Sequence, residues 1–181
     1  MRKTLLLLLV LACAPLLAAD YVQQPGSTLA FAGKYQGEVF TGRFPAFTTR
    51  LAFDPARLDA ARLDVAIPLA GATTGNADYD GELLGASFFD VAKFPQARFT
   101  ATRFRALGGN RYAADGSLSL RGTSKPVTLE FTWTPGARPV LAGKATVSRL
   151  AFGVGGGDWA DTALIPDAIA ISTRVVFAPG K

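Results

Sequence analysis

At 181 residues the chain suits one domain, at most with a small second one. Nineteen Lys and Arg against fourteen Asp and Glu give a formal charge of +5, or +3 (17 against 14) without Arg2 and Lys3; so small and scattered an excess argues against a nucleic-acid partner. With 49% hydrophobic residues the chain is neither disordered nor fibrous, and with no histidine it lacks the commonest general acid/base and transition-metal ligand.

Arg2 and Lys3 precede an apolar run from Thr4 to Leu17 that ends at Leu17-Ala18-Ala19. This is the layout of a secretory signal peptide, with cleavage expected after Ala19 and a periplasmic or secreted product, and the run is short for a membrane span. A rival reading takes Val10-Leu11-Ala12-Cys13 as a lipoprotein box that anchors the chain through Cys13, although Leu11 fits it poorly. Cleavage after Ala19 leaves no cysteine, so stability must come from the core and not from disulfides.

From Ser27 onward the dominant period is two, the signature of strands with one apolar face. Leu29, Phe31, Gly33 and Tyr35 open the pattern, followed by Thr49, Leu51 and Phe53, then Leu63, Val65, Ile67 and Leu69. A segment from Asp78 to Phe89 breaks it, with acidic Asp80 and Glu82 ahead of Leu83, Leu84, Phe88 and Phe89, and reads as a short helix around residues 78–89. Ala97, Phe99 and Ala101 resume the alternation; Tyr112 to Leu120, Val127 to Trp133, Leu141 to Val147 and Ile169 to Phe177 complete about eight strands. Turn residues at Asp54-Pro55, Gly108-Gly109, Thr134-Pro135-Gly136 and Gly155-Gly156-Gly157 fit an antiparallel meander. One all-β domain, residues 20–181, is expected, closed as an eight-stranded antiparallel barrel so that no strand edge stays unpaired; a sandwich is the alternative.

The interior of such a barrel is either filled or wide enough for one small ligand. Bulky inward candidates (Phe31, Phe53, Phe99, Phe131, Trp133) share their parity with small ones (Gly33, Ala97, Ala101, Ala114, Gly116, Gly143, Ala145). The small residues favour free volume for an apolar ligand, and a filled barrel with glycines serving curvature is the competing reading. The expected lining is Phe31, Phe53, Val65, Phe99, Leu118, Phe131, Trp133, Ala145, Val147 and Ile171.

Gly42-Arg43-Phe44 with Phe47, Phe53-Asp54-Pro55, Asp80 through Leu83, Phe88-Phe89-Asp90-Val91 with Lys93-Phe94-Pro95 and Ala97, Gly116 with Leu118 and Leu120, Gly122 with Lys125-Pro126-Val127, and Arg149 with Phe152-Gly153 and Trp159 together resemble the YceI family of polyisoprenoid-binding proteins. The resemblance spans about Ser27 to Phe177 and implies an exported, lipocalin-like barrel that holds a long isoprenoid chain, quinone-like or polyprenyl. It also implies histidines near the first strand and ahead of Leu83, and an acid before Phe152-Gly153. Here the first is missing, Glu82 takes the second place and Ala151 the third. Burying one five-carbon unit contributes roughly 3 kcal/mol, so several units are needed to exceed an association cost of about 4–15 kcal/mol.

At strand parity Arg149 points inward, where it would meet a phosphate, carboxylate or quinone oxygen at the mouth; the alternatives are an ion pair with Asp90, Asp158 or Asp161, or a bulge that turns it to solvent. Asp80 and Glu82 are two apart and do not face each other on a helix, so Asp78 or Asp80 is better read as a helix cap, with weak calcium binding by Asp78, Asp80 and Glu82 a remote option. Gly153-Val154-Gly155-Gly156-Gly157 lacks the Lys-Ser/Thr pair of a phosphate loop and reads as a flexible lid or turn beside Trp159. No serine has a nucleophile context, and Ser124-Lys125 runs into Pro126. The expectation is therefore a binding protein and not an enzyme, with no cofactor, no metal and no nucleic-acid partner, its ligand an isoprenoid lipid. Transient membrane contact and a monomeric or homodimeric state stay open. An accessory module that recognises a membrane or redox partner through a filled barrel is the alternative.

Overall fold

The structure, a computed structural model, describes residues 19–180. The expected signal peptide up to Ala18, with Cys13, lies outside the described residues, and the first strand starts at Asp20. Ten antiparallel strands follow: β1 (Asp20–Gln23), β2 (Thr28–Tyr35), β3 (Glu38–Arg43), β4 (Thr48–Ala52), β5 (Arg62–Pro68), β6 (Gln96–Gly108), β7 (Arg111–Leu120), β8 (Thr123–Thr134), β9 (Val140–Ser148) and β10 (Ala168–Pro179), with one helix, α1 (Ala77–Leu84), between β5 and β6.

Ten segments make eight staves, because two staves are each broken once. β1 and β2 run end to end beside β10, and β3 and β4 run end to end beside them. Each break holds a proline, Pro25 in one and Pro45 in the other, and a residue without an N–H cannot serve a ladder. Val176 spans the first break: its N donates to the Ser27 side chain at Oγ, 3.0 Å, and its carbonyl accepts from the backbone N of Gln24 at 2.7 Å. Across the breaks, Gln23 Nε2 donates to Phe47 O at 3.0 Å. The ring then runs through β4–β5, β5–β6, β6–β7, β7–β8, β8–β9 and β9–β10 and closes through β10–β1, so the eight-stranded antiparallel barrel expected from the alternation is the fold.

One end of the barrel is solid. Phe53, fully buried, lies with its ring centroid 5.1 Å from Tyr112, 5.2 Å from Trp133, 5.6 Å from Phe131 and 5.9 Å from Phe104. Tyr21 packs edge-to-face on Trp133 at 5.1 Å, a geometry that suits aromatic quadrupoles, and Phe177 lies tilted against the same ring at 6.1 Å.

The other end is roofed. Past the proline breaks β3 pairs with β2 but not with β5, and the chain from Leu69 to Pro95, with α1, fills the space. It is joined to β3 by the Arg43–Thr73 bridge. The helix is shorter than the expected 78–89: it ends at Leu84, and Ser87 to Phe89 form turns that point Phe89 into the core. Its cap is Asn76, whose side chain accepts from Asp78 N and Tyr79 N, and not Asp78 or Asp80. Asp80 instead reaches back to Thr73 Oγ1, Thr74 N and Thr74 Oγ1 at 2.6–2.7 Å, and these bonds hold its carboxyl below the usual carboxylate range.

Candidate functional site: an apolar hollow inside the barrel

Between the aromatic plug and the roof the barrel encloses a hollow of about 190 Å³. Inward residues midway along the staves, Val65 on β5, Val127 on β8, Ala145 on β9 and Ile171 on β10, keep accessible surface because they face that space and not a neighbour. On β10 its wall extends from Ile169 through Ile171 and Thr173 to Val175, six residue steps, or about 20 Å of strand. The volume is small beside the roughly 300–1,000 Å³ of sites for bulky ligands, while the length is large; the shape suits a slender chain.

Of the ten expected lining residues, Phe31, Val65, Phe99, Leu118, Ala145, Val147 and Ile171 face the hollow. Phe53, Phe131 and Trp133 do not: they share the same parity but belong to the plug, one or two inward positions further along their strands, where their rings fill the barrel. Periodicity assigns a face and carries no information about height. Sequence reasoning missed Phe40, Leu83, Phe88, Val127, Ile169 and Thr49, which also line the hollow. Thr49 already stood at inward parity, and the strand pattern was the signal that could have found it.

The small inward residues do not supply the space. The ring of Phe40 covers Gly33, that of Phe31 covers Gly42 and that of Phe99 covers Gly116, while Leu129 and Phe131 occupy the place of a side chain at Gly143. Each glycine makes room for a neighbouring large side chain, a cross-strand compensation that keeps the sheet closed. Of the small residues on that face, only Ala97 and Ala145 border the hollow.

Arg149 is 97% buried at the roofed end, 3% exposed. All five of its guanidinium N–H groups point at backbone carbonyls: Nε at Pro166 O, Nη1 at Val154 O and Gly155 O, Nη2 at Trp159 O and Ile165 O, over 2.6–3.2 Å. It therefore has no donor left for a head group, and among the described residues it makes no ion pair with Asp90, Asp158 or Asp161. The expectation fails because β9 ends at Ser148 and Arg149 turns helical, so the loop 154–166 wraps around the side chain. Burial pushes its pKa down, against the opposing charge of Asp167. Gly153-Val154-Gly155-Gly156-Gly157 is part of this loop, and Gly155 N donates to Ser87 O at 2.7 Å, joining it to the segment after α1.

Rings tie the roof together: Phe88 packs on Trp159 at 5.5 Å, Tyr35 on Trp159 at 6.3 Å and Tyr35 on Tyr79 at 6.4 Å. Arg121 donates to the carbonyls of Ala86 and Phe88. The polar side chains in the wall are Thr49, Thr173 and Arg149; everything else is hydrocarbon. Such a site offers burial of apolar surface and little else.

Residues 21–177 match the YceI-like domain family. A UPF0312 protein of Yersinia pestis is 36% identical over 141 residues, covering 74% of this chain and 73% of that protein, and one of Pseudomonas fluorescens is 31% identical over 160 residues, covering 80% and 81%. Among solved structures, BcnA of Burkholderia cenocepacia superposes with a TM-score of 0.80 at 30% identity, over 83% of this chain and 95% of that one. A domain from Saccharophagus degradans described as polyisoprenoid binding has the same fold, with a TM-score of 0.68 at 13% identity, over 91% and 99%. With the family match running from β1 to β10, the chain belongs to the YceI family.

Proposed function

We propose that this protein binds a long-chain isoprenoid lipid, quinone-like or polyprenyl, in the hollow of its barrel and sequesters or carries it after export. The observation that carries this reading is the hollow itself: about 190 Å³, drawn out along β10 and walled almost entirely by hydrocarbon. The description of the Saccharophagus degradans relative as polyisoprenoid binding supports it, and the N-terminal layout of Arg2, Lys3 and the apolar run supports export.

An extended prenyl unit contributes four chain bonds, about 5 Å at the rise per bond of an extended chain, so about 20 Å of wall takes about four units. Each buried unit contributes roughly 3 kcal/mol, which exceeds the lower range of association costs at that length. Affinity for prenyl chains of increasing length therefore rises to about four units and then levels off, as titration with a homologous series would read. Solvent extraction of the purified protein followed by mass spectrometry should return a stoichiometric isoprenoid. A flat response across lengths, or repeated preparations without lipid that also take up none, would refute the reading.

A further inference from the structure

The charge excess is small over the whole sequence, but the fold gathers it on one side. Strands β4 to β7 stand next to one another in the ring, and their charged residues are six arginines (Arg50, Arg62, Arg98, Arg103, Arg105 and Arg111) and two aspartates (Asp64 and Asp115). Every one of these arginines is exposed. Six against two leaves +4 on four neighbouring staves, while the chain without Arg2 and Lys3 carries 17 against 14, or +3, in all. The balancing acids are at the roof: residues 69–95 hold four against Lys93, and residues 150–167 hold three against no base.

Neutralisation within this outer wall is incomplete. Arg98 Nε donates to Asp64 and Arg105 Nε to Asp115, each at 2.9 Å, and Arg111 reaches Glu130 of β8 at 3.7 Å. Arg50 pairs across the ladder with Asp64, and Arg103 with Asp115, so each carboxylate already held by one guanidinium faces a second. Arg62 donates Nη1 to the carbonyls of Asp59 and Ala61, which steady the side chain without cancelling its charge. Apolar side chains flank the arginines: Val22, 51% exposed, pairs with Arg50, and Leu107, 37% exposed, is two residues beyond Arg105. Guanidinium forks match phosphodiester oxygens, and an apolar side chain beside them can enter the headgroup layer of a bilayer. A soluble polyanion would use the first feature and not the second.

We infer that the outer wall of β4 to β7 docks the barrel side-on to an anionic bilayer, with the acidic roof held off the surface. This rests on the lipid-binding reading above and deepens it, since a carrier must meet the membrane that holds its ligand. Vesicles of equal parts phosphatidylcholine and phosphatidylglycerol should sediment the wild type, those of phosphatidylcholine alone should not, and binding should fall as NaCl rises. These comparisons need no variant. An arginine near such a surface contributes about fivefold, so Arg50→Gln with Arg103→Gln should weaken binding about 25-fold. Lys144→Gln with Arg174→Gln removes the same charge from β9 and β10, across the ring, and should weaken binding less than about fivefold. Offered geranylgeraniol without vesicles, all three proteins should take it up alike, because none of these four side chains lines the hollow. Equal binding to both kinds of vesicle, or equal loss in the two double variants, overturns the docking wall and leaves the lipid reading standing. Binding to soluble polyphosphate as tight as to the mixed vesicles overturns the bilayer as the partner. Failure of the wild type to take up geranylgeraniol while the vesicle pattern holds overturns the lipid reading and not the wall.

Discussion

Arg149 shows how one side chain can organise a roof without touching a ligand. Its planar fork fills five carbonyl sites contributed by residues 154, 155, 159, 165 and 166, so Arg149→Met leaves those acceptors without donors and should cost more than about 2 kcal/mol, read as a lowered denaturation midpoint. Arg149→Lys, with three donors on a point charge, should recover only part of the loss. Asp115 gives the pH dependence. Its carboxylate accepts from Arg105 and Thr128, which lower its pKa from 3.8 to about 2. A depressed acid stabilises the fold at pH above its ordinary value, and that contribution fades as pH falls from 3.8 towards 2. Asp115→Asn should therefore flatten the acid limb of the stability curve while leaving the neutral region with only a small change, since the pair lies at the surface.

The strands were legible in the sequence because each presents one apolar face to the barrel interior, and Val127 to Trp133 or Leu141 to Val147 keep that alternation without interruption. Two elements escaped. β1 is only four residues long, and β3 carries exposed Val39 beside inward Phe40 and Gly42, so neither has a clean period. The site was half legible: alternation names inward residues, but whether an inward residue meets the hollow or the plug depends on how far along the stave it lies, which staggered strands decide between them. Gly143 and Ala145 make the distinction testable, since they are two residues apart on β9. A Cβ at Gly143 would stand 2.9 Å from Leu129 Cδ1 and 3.3 Å from Glu130 O, so Gly143→Phe should overpack and destabilise by about 1–3 kcal/mol. Ala145→Phe points into the hollow and should keep its melting temperature while taking up less lipid, measured on the same purified samples.

At the scale of the whole molecule, a ligand enclosed by the ring binds the folded state alone, so occupancy and stability are linked. Protein loaded at a free lipid concentration of one hundred times Kd should gain about 2.7 kcal/mol over delipidated protein, visible as a higher Tm that falls again on extraction. Closure into a ring was foreseeable from the number of staves and their turns. The roof was not, because it is assembled from contacts between Tyr35, Tyr79, Phe88 and Trp159, which are far apart in sequence. The two prolines leave one mark on the cylinder as a whole. Where neighbouring staves elsewhere share three or more paired residues, among the described residues β3 is bridged to the β5 side only through Arg43 and Thr73, whose amides and carbonyls exchange bonds of 2.9 and 3.1 Å. Under tension the cylinder unzips along that line first, and those two amides trade hydrogen for deuterium sooner than their counterparts in the middle of β7 and β8.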